Sequence, residues 1–356
     1  LVQVAGTTGI SQRATDLYVA NADSDDLVSY SISSTTGELD DSGLPPLPAG
    51  SGPAGLVVDP LGRFVYVAAK DSNQIIGYGV QPDGSLIDLM LPTDLCPLCD
   101  PEFLAIDLAG QYLYLTIDFF DLLVAYRIQP DGSLIVHDSR PLAEFPSSIA
   151  VDPSGSFVFI THAGDGATEL GDVAVYAINA QNGLLTELPE ISAPGHPAAI
   201  AFDASGMLAY VTFRDTNMVQ PYDLGTDGVL TPIGSGSLTQ NEPGEIELTR
   251  DGRFAFVTFE DTSSLGGLLL YDIDQNTGEL FNADTLAFQW RDAVAAGVGP
   301  RRLEITPDGA HIYVLAQTSD EIRAFDSDPV TGLTTPLETE VPGLTPVELG
   351  LRLIIE

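Results

Sequence analysis

The chain has 356 residues, of which 44% are hydrophobic, enough to bury a large core and to argue against disorder. It carries 51 acidic and 13 basic residues, a formal net charge of −38. Nucleic acid and anionic membrane surfaces are excluded as partners, because both need clustered positive charge, and no apolar run is long enough to insert into a membrane as a helix.

From the amino end, residues 1–14, including LVQVAG, stand ahead of the first repeated unit as an arm. Residues 15–356 read as one domain of repeats. The repeated phrase is DLYVAN around Tyr18, and it returns at Tyr66, Tyr114, Phe159, Tyr210, Phe256 and Tyr313, at steps of 45 to 57 residues. Pro53, Pro101, Pro146, Pro197, Pro243, Pro300 and Pro346 mark the same period independently. In the second unit AGLVVD is a strand, DPLG a turn, RFVYVAA a strand, KDSN a reversal, IIGYGV a strand and QPDGS a hairpin before LIDLML. Helical periodicity is absent.

Three segments interrupt the phrase. CPLC brings Cys96 and Cys99 together. Two thiolates cannot close a tetrahedral zinc site, so the pair is a local disulfide or two reduced thiols. HAGDGATELGD offers Asp165, Glu169 and Asp172 as calcium ligands, although the spacing is not that of an EF-hand loop and a solvated loop explains it too. FQWRDAVAAG holds Trp290 and is expected to cover part of one face as a lid or plug.

Four short antiparallel strands at this period are propeller blades, and a blade buries both faces only by stacking on neighbours. The first unit lacks an innermost strand, and the chain ends on a surplus one, PVELGLRLIIE. Placing the tail in the first blade gives an all-β, seven-bladed β-propeller of four-stranded blades whose ends zip together. The loops entering the inner strands and those following the YV strands then share one face, the upper face. It should collect His162, His196, Arg214, Glu260, Trp290 and Arg291.

The phrases YVTF (Tyr210 to Phe213), YVANADSDDLVSYSI, VDPSGSFVFI and YDIDQNTGEL resemble the YVTN repeat and the seven-bladed lactonase-like propellers related to 6-phosphogluconolactonases. The resemblance implies an Arg-His pair after the proline entering one inner strand, with Glu in the next turn. GHPAAIAFD has Ala198 and Ala199 in place of that pair, and FRDTN offers Arg214 and Asp215. RRLEITPDG resembles the family's Ala-Glu-Ile strand. On that reading Glu304 is the catalytic carboxylate, Arg301 or Arg302 anchors an acidic substrate, and His196 serves as a displaced base.

Inner-strand alternation gives a sharper signal. Counting from the residue after each proline, positions two and four are Gly55/Val57, Phe103/Ala105, Ser148/Ala150 and Ala199/Ala201 in four blades. In the next two, and in the closing strand, they are Glu245/Glu247, Arg302/Glu304 and Glu348/Gly350. Five charges therefore gather on one side of the axis. A small polar or cationic ligand would suit them, with His196 and Trp290 nearby. No cofactor is required, and hydrated Ca²⁺ or Mg²⁺ would suit the four carboxylates.

The expected function is a non-catalytic binding or scaffold propeller, outside the cell or at its surface, or in the cytoplasm of a halophile, where salt screens the acidity. A lactonase-like hydrolase or cyclase using Glu304, Arg302 and His196 is the alternative. Self-assembly, in which the N-terminal arm adds to a neighbour's outer strand, is a third.

Overall fold

The computed structural model describes residues 12–91, 99–164, 171–193, 195–260, 266–282, 291–340 and 346–355. They form seven antiparallel sheets of four or five strands. In blade 2 the strands Pro53–Val58, Phe64–Ala69, Gln74–Val80 and Leu86–Asp88 run outward from the axis in chain order. Blades 3 to 7 repeat this plan. Blades 1, 4, 5 and 6 add a short fifth strand against the third.

The ring closes as the sequence implies. Pro346–Ile355 pairs antiparallel with Gln12–Asn21, with Leu351 opposite Leu17 and Leu349 opposite Val19. These four side chains join Tyr313 and Leu315 of blade 7 in one core cluster. The paired strand begins at Gln12, inside the segment expected as an arm; the remainder of that segment lies outside the described residues.

Two side chains of the repeat phrase explain its persistence. Its aromatic residue is fully buried in the wedge between blades. In four of the five units where that residue is Tyr, its hydroxyl donates to a glycine carbonyl in the next blade's outer hairpin: Tyr18 to Gly84 at 3.0 Å, Tyr66 to Gly132 at 2.8 Å, Tyr210 to Gly278 at 3.0 Å and Tyr313 to Gly37 at 2.7 Å. The last of these crosses the ring closure. The threonine two residues on, also buried, satisfies a break in the inner ladder. Thr116, Thr212 and Thr258 accept hydrogen bonds from the N–H groups of Phe103, Ala199 and Glu245, where the register slips beside the entering proline. Thr212 also donates to Gly244 O of the next blade at 2.7 Å.

The upper reversals are tight. Asp25, Asn73, Asp121, Asn217 and Asp320 take φ of 49–59°, a region that Asp and Asn tolerate best among residues with a side chain. Asn73 and Asn217 use the same turn to accept backbone N–H groups of the following blade, from Asp100 and Glu242.

Candidate active site at the axial mouth

The charged positions expected on three neighbouring inner strands do converge. Arg302, from Pro300–Ile305 of blade 7, donates from Nε to Glu348 Oε1 at 2.7 Å and from Nη1 to Glu245 Oε2 at 2.6 Å. Glu348 comes from the closing strand and Glu245 from Pro243–Leu248 of blade 6. The guanidinium reaches past the axis, and its carbon lies 5.7 Å from the Phe103 ring centroid in blade 3. Burial alone would lower the Arg302 pKa; Glu348 and Glu245 outweigh it and raise it. Gly55 lets the inner strands of blades 2 and 3 approach closely, since a Cβ there would lie 2.3 Å from the backbone oxygen of Glu102.

This bar divides the channel. A cavity of about 270 Å³ lies above it and one of about 310 Å³ below, and both are lined by Phe103, Glu245, Arg302 and Glu348. Glu247 and Glu304 face the lower cavity. Burial raises both carboxyls; Glu304 and Glu245 add to it for Glu247, and Glu245 and Glu348 add to it for Glu304 against the pull of Arg302. Glu304 is pushed up to about 8, and Glu247 rises well above the usual range despite accepting the Ile305 N–H at 2.9 Å. Glu348 is pushed up to about 7 by burial, which the Arg302 bond partly offsets.

The upper cavity is differently built. Arg214, Arg301 and Arg302 line it, with Glu102, Glu260, Ser147 and Gln317. Arg301 Nε stands 3.5 Å from Glu260 Oε1. Arg214 makes no side-chain ion pair or hydrogen bond among the described residues. Its pKa is lowered by the protein packed around it and by Arg301 and Arg302, against the opposing pull of Glu260 and Glu242. Glu102 is raised by burial and by Asp118, although Lys70 Nζ is 3.4 Å away. Three guanidinium groups and four carboxyls thus line the cavity; Arg302 is paired with Glu245 and Glu348 and Arg301 stands against Glu260, which leaves Arg214 as the cation open to an anion, with Glu102 a carboxyl held above its usual range.

Sequence reasoning placed these groups unevenly. Glu245, Arg302 and Glu348 meet as expected, but Glu304 and Glu247 line the lower cavity, which Arg214 and Arg301 do not. His196 is not among the residues lining either cavity; its Nδ1 pairs with Asp215 Oδ1 at 3.0 Å. Arg291, expected above, instead binds Asp272 and Thr331 O. Trp290, Asp165, Glu169 and Cys96 lie outside the described residues. Asp172 Oδ1 accepts from His162 Nδ1 at 2.8 Å, and no cluster of metal-ligating side chains occurs among the described residues. Cys99 is buried and disulfide-bonded. Glu102 was missed because alternation was counted from position two. Position one, next to the proline, also faces the mouth and supplies Glu102, Ser147 and Arg301. A pair of arginines, Arg301 and Arg302, follows Pro300, where the resemblance implies Arg-His followed by Glu in the next turn. Gln317 stands in the following turn.

Fold and mouth together define a seven-bladed propeller with an axial, arginine-lined pocket. Residues 5–93, 103–196 and 284–350 match the family described as Lactonase, 7-bladed beta-propeller, and the chain belongs to that family. It is 25% identical over 194 residues to the 6-phosphogluconolactonase of Bacillus subtilis strain 168, a match spanning 52% of this chain and 53% of that protein. It therefore spans about half the length of that curated relative. Two crystal structures share the fold across nearly the whole chain. One is a Bacteroides fragilis protein described as a candidate 6-phosphogluconolactonase (TM-score 0.78, 20% identity, 98% of this chain and 99% of that one). The other is the Pseudomonas aeruginosa periplasmic gluconolactonase PpgL (TM-score 0.74, 22% identity, 96% and 99%). These relationships correct the expectation of a non-catalytic scaffold. That expectation rested on Ala198 and Ala199 replacing the basic pair, whereas the guanidinium groups enter the mouth from blades 5 and 7.

Proposed function

We propose that the chain is a lactonase that hydrolyses the lactone of an anionic sugar acid in the upper cavity. The observation that carries this reading is the convergence of Arg214, Arg301 and Arg302 on one cavity of about 270 Å³, in a chain with a net charge of −38. Arg214, whose charge Arg301 and Arg302 disfavour and which has no side-chain partner among the described residues, gains one when an anion enters. The cavity is at the small end of ligand sites, which run from about 300 Å³, and so suits a single sugar ring.

Arg214 and Arg301 hold the substrate's phosphate or carboxylate at the rim. Arg302, fixed at the floor by Glu245 and Glu348, faces the lactone carbonyl. Glu102 takes a proton from water as that water adds to the carbonyl carbon. Negative charge moves to the carbonyl oxygen, where a guanidinium stabilises it. Collapse of the tetrahedral adduct breaks the bond to the ring oxygen, which leaves as a hydroxyl after taking the proton from Glu102. Products are the open-chain acid and the regenerated carboxylate. Substrate lactones open slowly in water unaided, so a modest base suffices.

The B. subtilis relative's name makes 6-phosphogluconolactone the first substrate to test. The expected result is turnover above the spontaneous rate. Arg214→Gln should raise KM for the phosphorylated lactone by about tenfold or more, with a smaller effect on the unphosphorylated lactone. Opening of both lactones at the buffer rate would overturn the proposal.

A further inference from the structure

On the opposite face, the blade 3–blade 4 junction breaks the rule that the other tyrosines obey. Tyr114 is completely buried, yet its hydroxyl has no hydrogen-bond partner among the described residues. The corresponding hydroxyls of Tyr18, Tyr66, Tyr210 and Tyr313 each donate to a hairpin glycine carbonyl. At this junction the groove is a cavity of about 670 Å³, lined by Tyr114, Tyr112, Arg127, His137, Asp107 and the hairpin Asn179–Gly183. The groove between blades 5 and 6 is smaller, about 500 Å³, and the Tyr210 hydroxyl in it is satisfied.

The donors and acceptors around the cavity are unevenly committed. Asp107 is engaged: its Oδ1 accepts the N–H groups of Gln111 and Tyr112 at 2.7 and 2.6 Å. His137 Nε2 lies 2.6 Å from Asn182 O, so that nitrogen carries its proton and is used. The His137 ring sits 5.1 Å from that of Tyr112, centroid to centroid, forming an aromatic wall. Arg127 lies opposite Tyr112 in the strand register, on the same face of blade 3. Its guanidinium has no ion pair or side-chain hydrogen bond among the described residues. Two unused donors, the buried Tyr114 phenol and the exposed Arg127 guanidinium, thus line one cavity with an aromatic side wall. The burial that keeps Tyr114 protonated also makes its unmet hydrogen bond costly.

We propose that this groove is a second ligand site, separate from the axial mouth, that takes a small planar carboxylate. The carboxylate would accept from the Tyr114 hydroxyl and from Arg127, while the planar body lies along Tyr112 and His137. An uncharged molecule would leave Arg127 unanswered, and a cation would meet Arg127 unfavourably.

Benzoate is a suitable probe, with benzamide as its uncharged counterpart, followed by isothermal titration of the full chain. Benzoate should bind at millimolar or lower concentration and benzamide at least tenfold more weakly. Tyr114→Phe and Arg127→Gln should each weaken benzoate about tenfold, the expected loss of one hydrogen bond to a charged group. Arg214→Gln should leave benzoate binding unchanged, and benzoate should not compete with a lactone for the axial mouth. Both groove substitutions are mild, because Tyr114→Phe removes a hydroxyl without a partner and Arg127 is solvent-exposed. Absence of benzoate heat, equal binding of benzamide, or binding insensitive to both groove substitutions would overturn the site. None of these outcomes bears on the lactonase reading.

Discussion

The Arg302 guanidinium lies 5.7 Å from the centre of the Phe103 ring, and these two residues come from blades on opposite sides of the channel. This contact makes Arg302 more than a partner for its neighbours. Pulled sideways by Glu245 and Glu348 and faced by an aromatic ring, it forms the floor of one cavity and the roof of another.

Removing that cation should be costly. Arg302→Met leaves Glu245 and Glu348 facing each other and Glu304 without a compensating charge. Breaking one partner out of a buried ionic set typically costs about 3–5 kcal/mol. Urea unfolding of Arg302→Met should show a loss of that order, and adding Glu245→Gln and Glu348→Gln should recover most of it. Equal destabilisation in the single and triple variants would mean that packing, not charge, explains the loss.

Glu304 supplies a pH test. Its pKa in the folded chain, about 8, is above the usual carboxyl value of about 4.3. A group raised on folding favours the folded state while protonated and withdraws that support as pH rises through the folded value. Stability should therefore fall between about pH 4.5 and pH 8. Glu304→Gln should remove part of this slope and be the more stable protein at pH 9, by on the order of 1 kcal/mol once water in the channel is allowed for. Thermal melts at pH 5, 7 and 9 provide the comparison. A constant difference between variant and parent across that range would contradict the assignment.

The fold was legible because two side-chain types carry it openly: an aromatic residue between blades and a proline at each inner strand. Alternation on the inner strands also places Glu245, Arg302 and Glu348 on the channel face. What remained hidden was depth along the axis. Positions two and four of one strand point into the same channel, yet Arg302 is long enough to cross it and seal Glu304 on the far side. Likewise His196 looked available as a base, but the loop that holds it turns its ring toward Asp215. Strand periodicity sets the face a residue shares; it does not set how far a flexible side chain reaches.

The interblade tyrosines offer an internal control. Tyr66→Phe, Tyr210→Phe and Tyr313→Phe each strand a glycine carbonyl and should cost about 1 kcal/mol apiece. Tyr114→Phe gives up no such bond and should be neutral or slightly stabilising. Denaturation midpoints of the four variants would show this directly. A loss at Tyr114 equal to the other three would mean that its hydroxyl is bonded in solution.

Ring closure is the strongest structural claim and can be tested by removing residues 346–356. The deletion takes away the partner of Gln12–Asn21, uncovers Leu17 and Val19, and deletes Glu348 from the channel bar. A long apolar edge strand is then left unpaired, a template for pairing with another chain. The truncated protein should lose its cooperative melt and sediment as oligomer or aggregate. A synthetic peptide of residues 346–356 should restore a cooperative transition by refilling the vacant strand position. A truncated chain that stays monomeric and melts like the parent would show that blade 1 does not depend on the tail, and closure would then have to reside in the Tyr313–Gly37 bond and the blade 1–blade 7 core alone.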